Sequence, residues 1–145
     1  MEADAKTKAE ILTTMREMWK AYGRLDADGV LAFYAPDPDI VVFGSGADEI
    51  YVGPKQAKRG LKRDFAQTRS VKVGLSKVRI SAAGKVAWLA ANCRFTAYVA
   101  GCNIEMDGRL TAVLEKRKGR WLIVQSHFAM PYAGQAAGQS FPGAR

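Results

Sequence analysis

The sequence predicts an α+β domain in which N-terminal helices pack on one side of a curved, mainly antiparallel sheet. Three observations lead to this prediction: an amphipathic run over residues 5–25, alternating apolar residues after residue 70, and long strand-like runs at 86–99, 104–116 and 121–129. Helices followed by a meander of strands are typical of an α+β layout. A chain of 145 residues has the length of one such domain.

The first two helices follow from periodicity and capping. Apolar residues recur at steps of three and four from Ile11 to Leu25, which predicts a helix over residues 5–25. Asp28 can then cap a short helix over residues 29–34. A short strand at 40–43 and an extended piece at 50–52 follow.

A third helix is predicted to begin at Gly53-Pro54, since proline fits the first helical turn. Ala57, Leu61 and Phe65 form its inner face. Its outer side carries a basic cluster: Lys55, Lys58, Arg59, Lys62 and Arg63. The net charge of +8 allows a nucleic-acid or acidic partner. Without a nucleic-acid motif, we interpret the cluster as solvated surface and expect no nucleic-acid binding.

The chain shows no internal repeat and no second domain. We predict one domain over residues 1–131. Residues 132–145 are rich in Gly, Ala, Gln and Pro, and we predict that they form a flexible tail.

The strand predicted at 86–99 has two different faces. Its odd-numbered residues are all apolar and mostly small. Its even-numbered residues combine aromatic and polar groups: Val86, Trp88, Ala90, Asn92, Arg94, Thr96 and Tyr98. Because neither face is wholly polar, we expect both to be covered. We predict that the even face lines a cavity and that a second copy of the chain covers the odd face, giving a homodimer.

Arg94 stands in mid-strand, where arginine is unusual because it is rarely buried without a partner. Two interpretations stay open: a structural ion pair with a carboxylate, or a cavity residue that holds an anionic ligand. Aromatic residues would supply the cavity walls, as aromatic side chains do in many small-molecule sites. These residues are Trp19, Tyr22, Tyr34 and Trp88.

His127 is the only histidine and the only side chain that normally titrates near neutral pH. It is a candidate general acid or base, or else a hydrogen-bonded histidine of the sheet. A three-residue loop with a left-handed Gly119 would place Arg109 across from His127. A slip of one residue would move Arg109 to the other face. Asn92 and Gln125 could orient a ligand.

Composition argues against several other classes of protein. Two cysteines do not make a disulfide framework, and a single histidine argues against a zinc site, so we predict no metal and no cofactor. No stretch approaches the roughly 20 apolar residues of a membrane span. The polar start does not resemble a signal peptide, which predicts a cytoplasmic protein.

Four segments carry a family resemblance: VFGSGADE at 42–49, YVG at 51–53, RLTAV at 109–113 and KGRWLIVQSHFA at 118–129. They resemble the loop and the last hairpin of SnoaL-like proteins, a family of the nuclear transport factor 2-like superfamily. The resemblance implies a cone-shaped, cystatin-like fold with one long and two shorter helices on a strongly curved sheet. It also implies a pocket inside the cone and dimers formed through the sheet.

The chain is also similar to the association domain of calcium/calmodulin-dependent kinase. A pocket arginine of that domain lies in an Arg-x-Thr segment that matches Arg94-Phe95-Thr96, and the second histidine of its late His-x-His matches His127. The first of those histidines is Gln125 here. The superfamily hosts isomerases, cyclases, dehydratases and binding modules, so fold alone does not select one of them.

We therefore expect a small polar or anionic organic molecule in the pocket, held by Arg94 and His127. One alternative is an isomerase, cyclase or dehydratase in which His127 moves a proton and Arg94 or Arg109 stabilises an oxyanion. A further alternative is a basic protein-interaction or oligomerisation module.

Overall fold

The computed structural model describes residues 1–143, and within them three helices pack on one face of a six-stranded sheet. The helices are α1 (Ala5–Gly23), α2 (Ala27–Leu31) and α3 (Gly53–Ala66). The strands are β1 (Val41–Phe43), β2 (Ile50–Val52), β3 (Ser70–Ala83), β4 (Val86–Val99), β5 (Cys102–Arg117) and β6 (Arg120–Ala129). The predicted α+β class is confirmed. No helix of the described residues is long and apolar enough to cross a membrane.

The sheet has the strand order β2-β1-β6-β5-β4-β3. Strands β3 to β6 form an antiparallel meander, whereas β1 pairs with β6 in parallel. This pairing brings the loop after β1 beside the late residues of β6. Helix α1 packs against β3 and β6, and α2 contacts both other helices.

The helix boundaries are set by caps. Asp4 accepts a hydrogen bond from the Thr7 backbone N–H at 2.7 Å and begins α1. The helix ends at Gly23 rather than at residue 25, because Leu25 has a φ of 57°. The predicted cap Asp28 is wrong: Asp26 caps α2 by accepting from the Gly29 N–H at 2.9 Å.

The predicted assignment of the two faces of β4 is also wrong. Its odd-numbered residues from Ala87 to Ala97 are buried beneath the helices, on what we call the inner face. The even-numbered residues point to the opposite, outer face, where most are exposed. The apolar residues are thus removed from water while Asn92 and Arg94 keep their hydration, as in a sheet with one wet face.

The last hairpin differs from the prediction in its turn and its register. Lys118 and Gly119 form a two-residue turn with φ values of 49° and 78°, so a non-glycine residue takes the left-handed conformation. An irregularity between Val113 and Leu114 adds one residue to the β6 side. Arg109 therefore lies across from Ala129, and not from His127. The shorter turn and the extra residue in β6 together shift the predicted register by two positions. Arg109 and His127 therefore still point to the same face of the sheet.

Residues 132–143 follow the sheet as turns, with Tyr132 and Phe141 exposed. The predicted flexibility of the tail stays a prediction, and its residues 144 and 145 lie outside the described residues.

Candidate functional site

A cavity of about 370 Å³ lies between the helices and the inner face of the sheet. Its volume is in the range of small-molecule sites. Most of its wall is apolar, contributed by all three helices and by strands on both sides of β6. The apolar lining includes Met15, Met18, Val30, Leu31, Leu61, Val71, Phe95, Ala97, Ile104, Met106, Leu110 and Phe128.

An aromatic cluster forms one side of this cavity. The Trp19 ring meets Tyr22 edge to face at a centroid distance of 5.3 Å and Phe95 at 5.5 Å. Phe95 in turn contacts Phe128 at 4.8 Å. The structure places Trp19, Tyr22 and Tyr34 in the cavity wall, where the sequence predicted them. Their contact with a ligand stays a prediction.

Two polar pairs interrupt the apolar wall. The Tyr22 hydroxyl donates to Asp64 Oδ2 at 3.0 Å, joining α1 to α3. Burial raises the pKa of the Asp64 carboxyl above its ordinary value, and it raises the pKa of Tyr22 as well. On the opposite side, the Tyr34 hydroxyl and Ser126 Oγ lie 3.0 Å apart, and burial raises the pKa of Tyr34. Each pair places hydrogen-bonding groups beside an apolar space.

Two residues that line the cavity also carry side-chain polar atoms that are fully buried and have no hydrogen-bond partner in the described residues. These atoms are Trp19 Nε1, which can only donate, and the Tyr51 hydroxyl, which can donate or accept. Most buried polar groups in proteins are hydrogen-bonded, so unpaired ones call for a missing partner. The Tyr51 ring lies flat against Gly60: a Cβ added there would come within 2.5 Å of Tyr51 Cζ.

The loop after β1 closes over one end of the cavity. Glu49 lines the cavity and folds its own loop by accepting from the Gly46 N–H at 2.6 Å. Arg63 of α3 fixes this loop through Asp48 Oδ2 at 2.7 Å and Glu49 Oε1 at 2.9 Å. These two ion pairs tie the loop to α3 at this end of the cavity.

Six predicted site residues lie outside this cavity. The outer face of the sheet carries Trp88, Asn92, Arg94, Arg109, Gln125 and His127. The expectation that they line the cone cavity is wrong, because it depended on the inverted assignment of the β4 faces. Asn92, Arg94 and Arg109 are brought together there, in a shallow groove that also contains Asp107.

Arg94 makes a bidentate ion pair with Asp107, with Nε–Oδ1 at 2.7 Å and Nη2–Oδ2 at 3.0 Å. The structure thus matches the first interpretation of Arg94, a structural ion pair. Asp107 raises the pKa of the Arg94 guanidinium, and the guanidinium lowers the pKa of the Asp107 carboxyl. With 59% of the Arg94 side chain exposed, this pair is in contact with water.

His127 is exposed and packs against the Phe43 ring at a centroid distance of 5.4 Å. It therefore reaches neither Asp64 nor Tyr22, which lie beyond the sheet in the cavity. The geometry of a proton shuttle in the cavity is absent at this histidine.

Sequence reasoning missed Asp64 and Tyr51 and treated Glu49 as loop. A signal for Asp64 exists in the chain, since it follows Ala57 by seven residues and Leu61 by three, which places all three on one helix face. Asp64 directly follows the basic residues Lys62 and Arg63, so the sequence pattern there is that of a charged, solvent-exposed surface.

No group of three or more His, Cys, Asp or Glu residues that could hold a metal occurs in residues 1–143. The predicted absence of a metal and of a cofactor remains a prediction.

The fold and its enclosed cavity define a class of small cone-shaped α+β domains. The model of the SnoaL-like domain family matches residues 11–133, and the chain belongs to this family. A search of curated proteins finds no match.

Solved structures show the same fold. A nuclear transport factor 2-like superfamily protein from Salmonella enterica is 19% identical with a TM-score of 0.84, over 96% of this chain and 100% of that one. A protein from Xanthomonas campestris named as a candidate calcium/calmodulin dependent protein kinase II association domain is 22% identical with a TM-score of 0.76, over 91% of each chain. A candidate dehydratase of the NTF2-like family from Streptomyces avermitilis is 14% identical with a TM-score of 0.81, over 90% of this chain and 100% of that one.

Proposed function

We propose that this domain binds a small, mainly apolar organic molecule in the cavity between its helices and its sheet. The observation that carries the proposal is a cavity of about 370 Å³ with a mostly apolar wall that two polar pairs interrupt, Tyr22–Asp64 and Tyr34–Ser126. An apolar wall supplies affinity through burial, and a few polar atoms supply orientation.

The prediction of an anionic ligand does not fit this site. It depended on Arg94, which lies on the outer face in an ion pair with Asp107. The ionisable side chains of the lining, within the described residues, are Glu49, Asp64 and tyrosines. An anion placed there would meet carboxylates and no basic side chain.

The experiment is a fluorescence titration with N-phenyl-1-naphthylamine, a neutral dye that emits more strongly in apolar surroundings. We expect saturable binding to the wild-type domain. Ala57→Leu adds volume inside the cavity and should weaken binding about tenfold, roughly 1.4 kcal/mol. The matched control is Ala66→Leu on the exposed side of the same helix, which should bind like the wild type. Equal binding by all three would contradict the proposal.

A second candidate function is acid–base catalysis on the bound molecule, as in the isomerase, cyclase or dehydratase alternative. The observation that favours it is Asp64, whose pKa is raised by burial in the apolar cavity and whose carboxylate touches Tyr22. Asp64 would take the proton-transfer role that we predicted for His127. Conversion of a bound compound by the wild type and not by Asp64→Asn, with binding retained, would support this candidate.

We also propose a homodimer through the outer face of the sheet. This face is the reverse of the one that the sequence indicated. It exposes the apolar or small residues Ile50, Val52, Val86 and Ala90, and such patches are typical of contact between protein chains.

The alternative of a basic interaction module rests on Lys55, Arg59 and Lys62, which are exposed on α3. It predicts binding to nucleic acid that weakens steeply with salt.

A further inference from the structure

The polar end of the cavity is acidic in a chain that is otherwise strongly basic. The whole chain has 22 Lys and Arg residues against 14 Asp and Glu residues. Within the described residues, however, the cavity is lined by two carboxylates, Glu49 and Asp64, and by no Lys, Arg or His. Charge at this end therefore has the opposite sign to that of the protein.

The one guanidinium close to these carboxylates is already engaged. Arg63 directs Nη1 to Asp48 and Nη2 to Glu49, at 2.7 and 2.9 Å. Three carboxylates, those of Asp48, Glu49 and Asp64, thus share one arginine. Of the three, Asp64 forms no ion pair among the described residues.

The hydrogen bond that Asp64 accepts comes from a neutral group, the Tyr22 hydroxyl at 3.0 Å. Asp64 is half-buried, and a carboxylate that has lost part of its water without gaining a cationic partner is costly. A cation in the cavity would supply the positive charge that Asp64 lacks among the described residues.

Tyr51 provides a second group suited to a cation. This residue of β2 packs its ring on Gly60 of α3, one helical turn before Asp64. The ring face of Tyr51 can attract a positive charge.

We propose that the ligand is an organic ammonium ion with an apolar body. The ammonium group binds at the Asp64 carboxylate, and the apolar body lies against Phe95, Phe128 and Met106. This inference rests on the proposed function and adds the charge of the ligand to it.

The test uses three probes of similar shape and different charge: 2-(1-naphthyl)ethylammonium, 2-(1-naphthyl)ethanol and 1-naphthylacetate. Each competes with N-phenyl-1-naphthylamine for the cavity. We expect the ammonium probe to bind at least tenfold more tightly than the alcohol, and the carboxylate probe to bind most weakly. In Asp64→Asn, which keeps an acceptor for Tyr22, the advantage of the ammonium over the alcohol should disappear. Asp107→Asn on the outer face is the matched control and should retain it.

Two results would overturn the inference and leave the proposed function intact. One is equal binding of the three probes in the wild type; the other is an ammonium preference that persists in Asp64→Asn. If neither the probes nor the neutral dye bind, the proposed function itself fails. Should Asp64→Asn not fold, Asp64→Ser takes its place, since a serine hydroxyl can also accept from Tyr22.

Discussion

The two sides of the sheet place the same kind of side chain in opposite situations. On the outer face, Asp107 is exposed and paired with Arg94, and the guanidinium lowers the pKa of its carboxyl. On the inner side, Asp64 lies in an apolar cavity without an ion pair, and burial raises the pKa of its carboxyl. Water and an arginine stabilise the first charge. Among the described residues, the second accepts a hydrogen bond from the Tyr22 hydroxyl and forms no ion pair. We therefore expect the functional site at Asp64, because ionisable groups in unfavourable surroundings are concentrated at functional sites.

The largest difference between the two faces should appear in stability. Phe95 is buried on the inner face among Trp19, Tyr22 and Phe128. Phe95→Ala should lower the free energy of unfolding by about 3–5 kcal/mol, as for other buried phenylalanines. Its neighbour Thr96 is exposed on the outer face, and Thr96→Ala should change it by less than about 0.5 kcal/mol. Urea denaturation measures both, and similar losses would contradict the assignment of the faces.

The next effect concerns association through the outer face. The wild type should have twice the chain mass of 15.8 kDa in light scattering at micromolar concentration. Ala90→Glu would place two like charges in the contact and should raise the dissociation constant about tenfold or more, at 1.4 kcal/mol per tenfold. Ala90→Ser is the control that keeps the small volume. A wild type with the mass of one chain would refute the dimer.

A smaller effect is expected in the pH dependence of stability. Because the folded-state pKa of Asp64 is raised, its carboxyl favours folding below the ordinary carboxyl pKa and opposes it as pH rises through the raised value. Asp64→Asn removes this loss, so its melting temperature relative to the wild type should increase by about 2–4 °C from acidic to neutral pH.

Asp107→Asn should behave in the opposite way. The folded-state pKa of Asp107 is lowered, so its contribution is present above the ordinary pKa and is lost as pH falls through the lowered value. The variant should be slightly less stable than the wild type at neutral pH and equal to it in acid. Thermal melts from pH 3 to pH 7 measure both variants; curves of the same sign for the two aspartates would break the comparison.

The smallest effect is expected from the outer-face residues that the sequence placed in the pocket. Arg94→Ala and His127→Ala should leave the affinity for N-phenyl-1-naphthylamine within about twofold of the wild type, since neither side chain lines the cavity. Trp19→Phe is the positive comparison, because it changes a ring that lines the cavity. A large loss of dye binding in Arg94→Ala would restore the original assignment of the face.

The sequence was sufficient where periodicity and burial act together. The helical steps through Met15, Met18 and Tyr22 identified the face of α1 that lines the cavity, because apolar groups at that spacing must point one way. The runs after residue 70 identified the long strands for the same reason. These signals are local, so a single chain contains them.

The faces of β4 could not be chosen in the same way. Strand alternation separates two sets of residues but does not say which set meets the helices, and both sets contain apolar members. Tertiary packing determines which face meets the helices. The odd-numbered residues are all apolar, so burying them removes no polar side chain from water. The register of Arg109 depended on an extra residue in β6, which no turn rule predicts.

Gly60 leaves room for the Tyr51 ring at the acidic end of the cavity. The Tyr51 ring occupies the space that any Cβ at position 60 would need, so even alanine must displace it. Every glycine codon becomes an alanine codon by one nucleotide change, and alanine also favours a helix by about 1 kcal/mol. In Gly60→Ala the phenol must therefore leave its present place on α3, so a change of one nucleotide is enough to alter the shape of the cavity at its acidic end.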